Sequence, residues 1–452
     1  MNASEPNGLV RLTALEAREA LATGDLTSEE LVGACLKRIA KRDAIRAWTH
    51  VDGEAALAAA RASDAQRARG EVMGPLAGIP VGVKDIIDTK DFPTELGSEI
   101  FKGRQPTIDA FVVSELKAHG AIILGKTVTT EFAFFGPGET RNPHEPTRTP
   151  GGSSSGSAAA VADFQVPLAL GTQTAGSIIR PASYCGVVGF KPTFGCVSRT
   201  GVLAQSAPLD TIGGYARSVE DVALLLDCID GFDVADRNMM PGRKPSLLAQ
   251  IETHKVRPRR LAFVKSPAWP QGDASMQAAF ELFASTFKGD VDVIETALPA
   301  GFDNIIRLQQ IVQFSDIARN YGPIADSHPG RVSAKLKEVI AEGKSFSMPS
   351  YDDARGKQEL LYEALRPILV NNDVILTPAA QGVAPVGLAN TGSPMFNGLW
   401  TYLGMPCLSL PLLTVDGMPL GVQLVGARGD GGRLLSIASW MMKERGRKSF
   451  RA

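Results

Sequence analysis

Residues 76–89 read LAGIPVGVKDIIDT, and this run sets the strongest limit on what the chain folds into. It is nearly continuous in apolar, largely β-branched residues, the pattern of a strand buried on both faces of a sheet. A sheet covered on both sides takes helices as its cover, so the run predicts an α/β architecture. Its cation, Lys84, sits inside the apolar stretch, where a charged side chain is costly unless it is paired or loses its charge.

The rest of the chain keeps the same rhythm. LTSEELVGACLKRIAKRD (26–43) opens with Thr27 or Ser28 ahead of Glu29 and Glu30 and then carries apolar residues at helical spacing, which predicts a capped helix. VVSELKAHGAIILGKT (112–127) reads as a helix, a glycine turn and a second buried strand. Beyond about residue 250 the alternation loosens. The stretch 302–369 reads as mainly helical and is placed as a cap over the sheet. Strand signals return in DVILTPA (373–379) and GMPLGVQLVG (417–426), so both ends of the chain are expected to build one core, a single domain over 1–452.

Several partner classes find no support. Lys plus Arg (47) nearly equals Asp plus Glu (48), which gives no electrostatic reason to expect nucleic acid or an anionic membrane surface. No stretch approaches 18 uninterrupted apolar residues, and MNASEPNGLVRLTALEAREA at the N-terminus lacks a basic n-region and an apolar h-region. The five cysteines form no C-x-x-C pair, which suits a reducing compartment; the expected location is cytoplasmic.

Short motifs that suggest chemistry fail on context. GAIILGKT (120–127) satisfies G-x-x-x-x-G-K-[ST], but its spacer AIIL is itself a strand whose amides are committed, so no phosphate loop is expected. Ser114 and Lys117 make an S-x-x-K pair on an amphipathic helix without the companion motifs of penicillin-binding enzymes. Gly152 to Gly156 fits G-x-S-x-G around Ser154, yet a nucleophile elbow needs a strand running into it, and RNPHEPTRTP ahead of it is broken by Pro143, Pro146 and Pro150. Its required histidine would be His254 or His328, each in a polar stretch. Neither H-E-x-x-H nor a Cys/His cluster occurs, so no metal and no cofactor are expected.

Three places read together are more informative: Lys84 in GIPVGVKDIIDT, Ser153 in PGGSSSGSAAAVA, and Ser177 in LALGTQTAGSIIRPASYCGVVGFKPT. Here the sequence resembles the amidase signature family, from LTALEAREAL through to GMPLGVQLVG and most densely over Gly151–Thr193. The resemblance implies a mixed central β-sheet covered by helices on both faces. It also implies a Ser-Ser-Lys triad in which Ser177 is the nucleophile, Ser153 a bridging serine next to a cis peptide bond, and Lys84 the base.

Elementary chemistry fits those residue types. A serine hydroxyl is a weak nucleophile until a base takes its proton, and burial in an apolar strand lowers a lysine's pKa toward neutrality. Strand alternation sends Lys84 and Asp85 to opposite faces, so the adjacent carboxylate does not pin the lysine in its charged form. Gly151 and Gly152 give the Ser-Gly run backbone freedom, SAAAVA reads as a helix clamping it, and Ser154 and Ser155 are expected to support the turn by local hydrogen bonds. GTQTAGS runs into a helix, so the N–H groups of Thr174, Ala175, Gly176 and Ser177 are candidates for an oxyanion hole. Ala175 stands where many relatives carry Gly, and Gln173 replaces the acidic residue common there.

The departure that bears on substrate is Arg180. Many relatives place an arginine two residues after the nucleophile; here Ile179 takes that place and Arg180 follows, a turn of about 100° on a helix. This resembles the malonamidase-like branch, which implies a guanidinium facing a substrate carboxylate, as in malonamate; a structural salt bridge or helix packing is the competing role. Phe134, with Phe132 and Phe135 in EFAFFGPG, lines a pocket for an aryl amide or carbamate or belongs to the core. The expected function is an amidohydrolase that cleaves the C–N bond of a small amide through an acyl-enzyme. The alternatives are an aryl amide or carbamate hydrolase and a glutamine amidotransferase subunit. The expected partner is a small-molecule amide, with no nucleic acid and no membrane, and a homodimer is the assembly allowed for.

Overall fold

The computed structural model describes residues 6–242, 245–287, 289–445 and 450–451. The apolar run 76–89 contains a strand, Pro80–Lys84, with every residue buried. Among the described residues twelve strands form one sheet: β1 (Trp48–Val51), β2 (Pro80–Lys84), β3 (Ile122–Thr127), β4 (Leu168–Gln173), β5 (Val188–Lys191), β6 (Thr211–Ala216), β7 (Arg260–Phe263), β8 (Asp292–Glu295), β9 (Val374–Pro378), β10 (Cys407–Val415), β11 (Met418–Val425) and β12 (Phe450–Arg451). Their order is β1-β3-β2-β4-β6-β5-β10-β11-β9-β7-β8, with β12 beside β10.

The sheet is mixed. β3, β2 and β4 run parallel, as do β9, β7 and β8, while the central pairs from β4 through β6, β5, β10 and β11 to β9 are antiparallel. Strands from the first half of the chain and from its last eighty residues share this sheet, so the two ends do build one core. Alternation along β4 shows the double cover: Leu168 and Leu170 enter one apolar cluster, and Ala169 enters the other.

Local signals resolve as the sequence predicts. Thr27, rather than Ser28, caps the helix Ser28–Lys41: its hydroxyl accepts from Glu30 N and its own N–H donates to Glu30 Oε2. The GAIILGKT spacer is β3. Lys117 pairs with Asp91 and Asp109 on the helix Phe111–Ala118. The stretch 302–369 is helical, with Ile305–Ser327, Ala334–Ser345 and Met348–Ala364 as its main helices. No helix among the described residues is long and apolar enough to cross a membrane.

Candidate active site

β2 and β4 are parallel neighbours in register at Val81↔Leu168 and Gly82↔Ala169. Their carboxyl ends therefore lie at the same edge of the sheet, where loops in open α/β sheets hold ligands. β2 delivers Lys84 there. β4 delivers Thr172 and Gln173, and the chain then makes the loop 174–178 before the helix Ile179–Cys185.

The Ser-Gly run comes to the same place. Gly151 adopts φ +83°, in the left-handed region that glycine tolerates, and the Gly152–Ser153 peptide is cis. The helix Ser155–Ala162 follows directly, and the serines fasten the turn. Ser154 Oγ donates to Thr172 O and accepts from Thr172 N, Ser155 Oγ donates to Val128 O, and Ser157 Oγ donates to Leu170 O.

Lys84 and Ser153 meet directly. Lys84 Nζ donates to Ser153 Oγ and to Thr172 Oγ1, both at 2.7 Å. The lysine is fully buried, and burial pushes its pKa well below the ordinary lysine value. The Asp210 carboxylate opposes that shift, and the Arg180 guanidinium adds to it. Ser153 is buried too, whereas Ser177 keeps part of its surface exposed. Of the three, Ser177 is the group a ligand can touch.

The loop after β4 is held from several sides while its amides stay free. Gln173 Oε1 accepts from Ile178 N and Ile179 N, closing the start of the helix, and Gln173 Nε2 donates to Thr401 Oγ1. Thr401 Oγ1 donates to Ala175 O, and Tyr215 Oη donates to Ser177 O. Thr174 Oγ1 donates to Asp210 Oδ1 at 2.6 Å, and Gln205 N and Ser206 N donate to Asp210 Oδ2. Burial raises Asp210 to about 6 against the lowering effect of these bonds. The N–H groups of Thr174, Ala175, Gly176 and Ser177 meet no acceptor among the described residues, as donors kept for an oxyanion would.

Arg180 ties the serine turn to the segment around Thr391. It is 2% exposed; Nε donates to Thr391 O at 2.7 Å and Nη2 to Gly152 O at 2.6 Å. Among the described residues Nη1 has no partner and no carboxylate pairs with the guanidinium. A methyl group at Gly176 would lie 2.9 Å from that Nη1 and 2.6 Å from Asn397 Oδ1, so the free nitrogen faces the loop. Burial lowers Arg180 to about 10.

A cleft of about 790 Å³ opens beside this loop, between Gln309, Gln313 and Phe314 on one wall and Gly392 to Met395 on the other. The same methyl group at Gly176 would lie 3.1 Å from Pro394 Cβ, so the loop lies against a residue that lines the cleft. Phe135 and Phe314 line it, while Phe134 is 5% exposed and packs edge-on against both. A smaller cavity of about 190 Å³ lies beside Thr172, Thr174 and Asp210. Among the described residues no cluster of His, Cys, Asp or Glu is arranged to hold a metal ion.

A family model described as Amidase matches residues 30–435. The chain belongs to the amidase family. This amidase is 36% identical, over 95% of its length and 96% of the relative, to the A subunit of the Glutamyl-tRNA(Gln) amidotransferase of Chloroflexus aurantiacus. Among solved structures it resembles a vestigial protein complex that reveals the evolutionary origins of an s-triazine catabolic enzyme, with a TM-score of 0.88, 29% identity and coverage of 96% of this chain and 98% of that one. It also resembles the native peptide amidase of Stenotrophomonas maltophilia, with a TM-score of 0.85, 29% identity and coverage of 96% and 97%. The family and these neighbours make the protein an amide C–N hydrolase.

Three site residues of this amidase escaped the sequence reading. Thr172 carried a signal, a hydroxyl inside the otherwise apolar buried stretch LALGT. Asp210 and Thr401 carried none, because their contacts to the loop join positions 36 and 226 residues apart.

Proposed function

We propose that this amidase hydrolyses a small amide that carries a carboxylate, through an acyl-enzyme on Ser177. Ser177 Oγ attacks the amide carbonyl as its proton passes through the Ser153 hydroxyl to neutral Lys84. The oxyanion so formed lies against the N–H groups of Thr174, Ala175 and Gly176. Collapse breaks the C–N bond, and the proton returns from Lys84 through Ser153 to the leaving nitrogen. Water then repeats the sequence on the ester and releases the acid.

The observation that carries the carboxylate is Arg180, a buried guanidinium without an acidic partner among the described residues, whose unbonded Nη1 faces the loop 174–178. A buried cation with a free donor is a costly arrangement until an anion meets it. The helices within 302–369 act as the cap that forms one wall of the cleft. The test is a hydrolysis screen of malonamate-type, neutral aliphatic, arylamide and carbamate substrates with the unmodified protein, Ser177→Ala and Arg180→Ala. Activity on carboxylate-bearing amides that Arg180→Ala removes selectively is the expected result; activity on aryl amides or carbamates indifferent to Arg180 makes Phe135 and Phe314 the recognition wall instead.

The second reading is a component of an ammonia-producing amidotransferase, favoured by relatives named as the A subunit of Glutamyl-tRNA(Gln) amidotransferase that match along 95% of the chain. Glutaminase activity that appears with partner chains and exceeds the malonamate-type activity decides for it.

A further inference from the structure

The helix Ile305–Ser327 carries a polar stripe on a buried face. Gln309, Gln313, Asp316 and Asn320 follow one another at helical steps, which puts them on one side of the helix. Gln309, Gln313 and Asp316 are 4%, 6% and 3% exposed. Buried amides and carboxylates are costly unless their hydrogen bonds are met, so the partners they find show what the stripe holds.

It holds one short turn, 205–210. Asn320 Nδ2 donates to Gln205 O at 3.1 Å, Gln313 Nε2 donates to Gln205 Oε1 at 2.7 Å, and Asp316 Oδ2 accepts from Ser206 Oγ at 2.6 Å. The Asp316 carboxylate is itself braced, because its Oδ1 accepts from Tyr351 Oη at 3.1 Å and from Arg319 Nη1 at 3.0 Å. The turn is closed on itself. Leu209 N and Asp210 N donate to Ser206 O, and Gln205 N and Ser206 N donate to Asp210 Oδ2. The other carboxylate oxygen, Asp210 Oδ1, leaves the turn and takes Thr174 Oγ1 at 2.6 Å. Both side-chain links, Ser206 to Asp316 and Thr174 to Asp210, are short hydroxyl–carboxylate bonds, the charge-assisted kind.

The geometry points to Asp316 as a positioning residue for the reaction: it fixes the turn 205–210 through Ser206, and the turn fixes the loop 174–178 through Asp210 and Thr174. This rests on the reading of Ser177 as nucleophile and of the loop amides as oxyanion donors. Such donors act only within a narrow range of distance from the developing charge, so a loop that drifts loses rate while substrate affinity stays. Gln309 and Gln313, on the same helix face, line the cleft. The helix that walls the cleft is thus also the helix that sets the loop, which lets binding energy gathered in the cleft appear in kcat.

A double-mutant cycle on the full chain tests this, read as the rate of fluorophosphonate labelling at Ser177, which needs no knowledge of the substrate and places an oxygen where the oxyanion would lie. Ser206→Ala removes one hydroxyl and leaves the backbone N–H on Asp210; it is expected to slow labelling about tenfold. Added to Thr174→Val, the same change is expected to alter the rate by less than about twofold, because the connection is already cut. A Ser206 that only supports the fold would slow both backgrounds by the same factor, and that outcome overturns the proposal. Asp316→Asn, which keeps an oxygen for Ser206, is expected to lose less than Asp316→Ala; equal losses overturn the assignment to Asp316, and if Asp316→Ala does not fold the Ser206 cycle decides alone. Absence of labelling at Ser177 in the unmodified protein would end the nucleophile reading and this inference with it, whereas labelling that Ser206→Ala leaves unchanged would sink the inference alone.

Discussion

Lys84 and Asp85 are chain neighbours with opposite partners: Lys84 Nζ meets the hydroxyls of Ser153 and Thr172 at 2.7 Å, while the Asp85 carboxylate lies 3.4 Å from Lys126 Nζ. The strand pleat sends successive side chains to opposite faces, so the carboxylate nearest Lys84 in sequence is spent on a different lysine. Two hydroxyls stabilise an ammonium less than a carboxylate does, and burial then decides the charge of Lys84.

The first prediction concerns pH. With Lys84 as the base, kcat/KM rises through the depressed lysine pKa and then levels, because only the neutral amine accepts the proton. The Arg180 guanidinium holds that pKa down and ionised Asp210 holds it up. Arg180→Met therefore moves the rising limb to higher pH, and Asp210→Asn moves it to lower pH. Three pH profiles of kcat/KM check this; limbs that coincide would remove Lys84 from the role.

A second prediction separates nucleophile from relay. A fluorophosphonate probe should label the unmodified protein at Ser177 and leave Ser177→Ala unlabelled. Ser153→Ala keeps the nucleophile but breaks the path to Lys84, so labelling persists at a rate lower by about 10²–10⁴. Peptide mapping with labelling rates at fixed pH is the measurement, and full-rate labelling of Ser153→Ala would rule out the relay.

Thr174→Val tests the loop. Its hydroxyl anchors the loop 174–178 to Asp210 at 2.6 Å, and the change leaves every backbone donor present but one anchor fewer. The expected loss in kcat lies below the roughly 10²–10³ that follows deletion of a donor outright, with KM little changed. A loss confined to KM would place Thr174 in substrate binding instead.

Much of this site was legible because its chemistry sits inside local patterns. Lys84 announced itself as a cation in an apolar strand, and the Ser-Gly run and GTQTAGS each carry turn and helix-start signals within a few residues. The sheet was legible for the same reason, since doubly buried strands such as β2 and β3 look unlike surface strands. What stayed hidden depends on long-range closure. Arg180 reads equally well as ligand or scaffold until Thr391 and Gly152 are seen to occupy two of its nitrogens. Phe134 and Phe135 cannot be told apart by spacing, although the first packs against its neighbours and the second lines the cleft. Asp210 lies 36 residues from Thr174, and only tertiary packing brings it to the loop.

The last prediction uses the second buried lysine. Asp85 and Lys126 are both fully buried, and burial raises Asp85 to about 6 and lowers Lys126 to about 8, so the pair is charged between those values. For Asp85 the folded-state pKa lies above its ordinary value of 3.8. Its contribution to stability is therefore present in acid and is lost as pH rises through about 6. For Lys126 the folded value lies below the ordinary 10.5, and its contribution is present in alkali and lost as pH falls through about 8. Lys126→Met removes the cation that holds Asp85 down, leaving a buried carboxylate unpaired at neutral pH, which costs about 3–5 kcal/mol. That penalty shrinks as pH falls through the value of about 6 toward about pH 3, below which Asp85 is protonated in both folded and unfolded chains. Asp85→Asn combined with Lys126→Met removes both charges and should recover much of the loss. Urea denaturation at acid and neutral pH checks the sign: a Lys126→Met deficit that grows on acidification would show that the carboxylate is not the group left stranded.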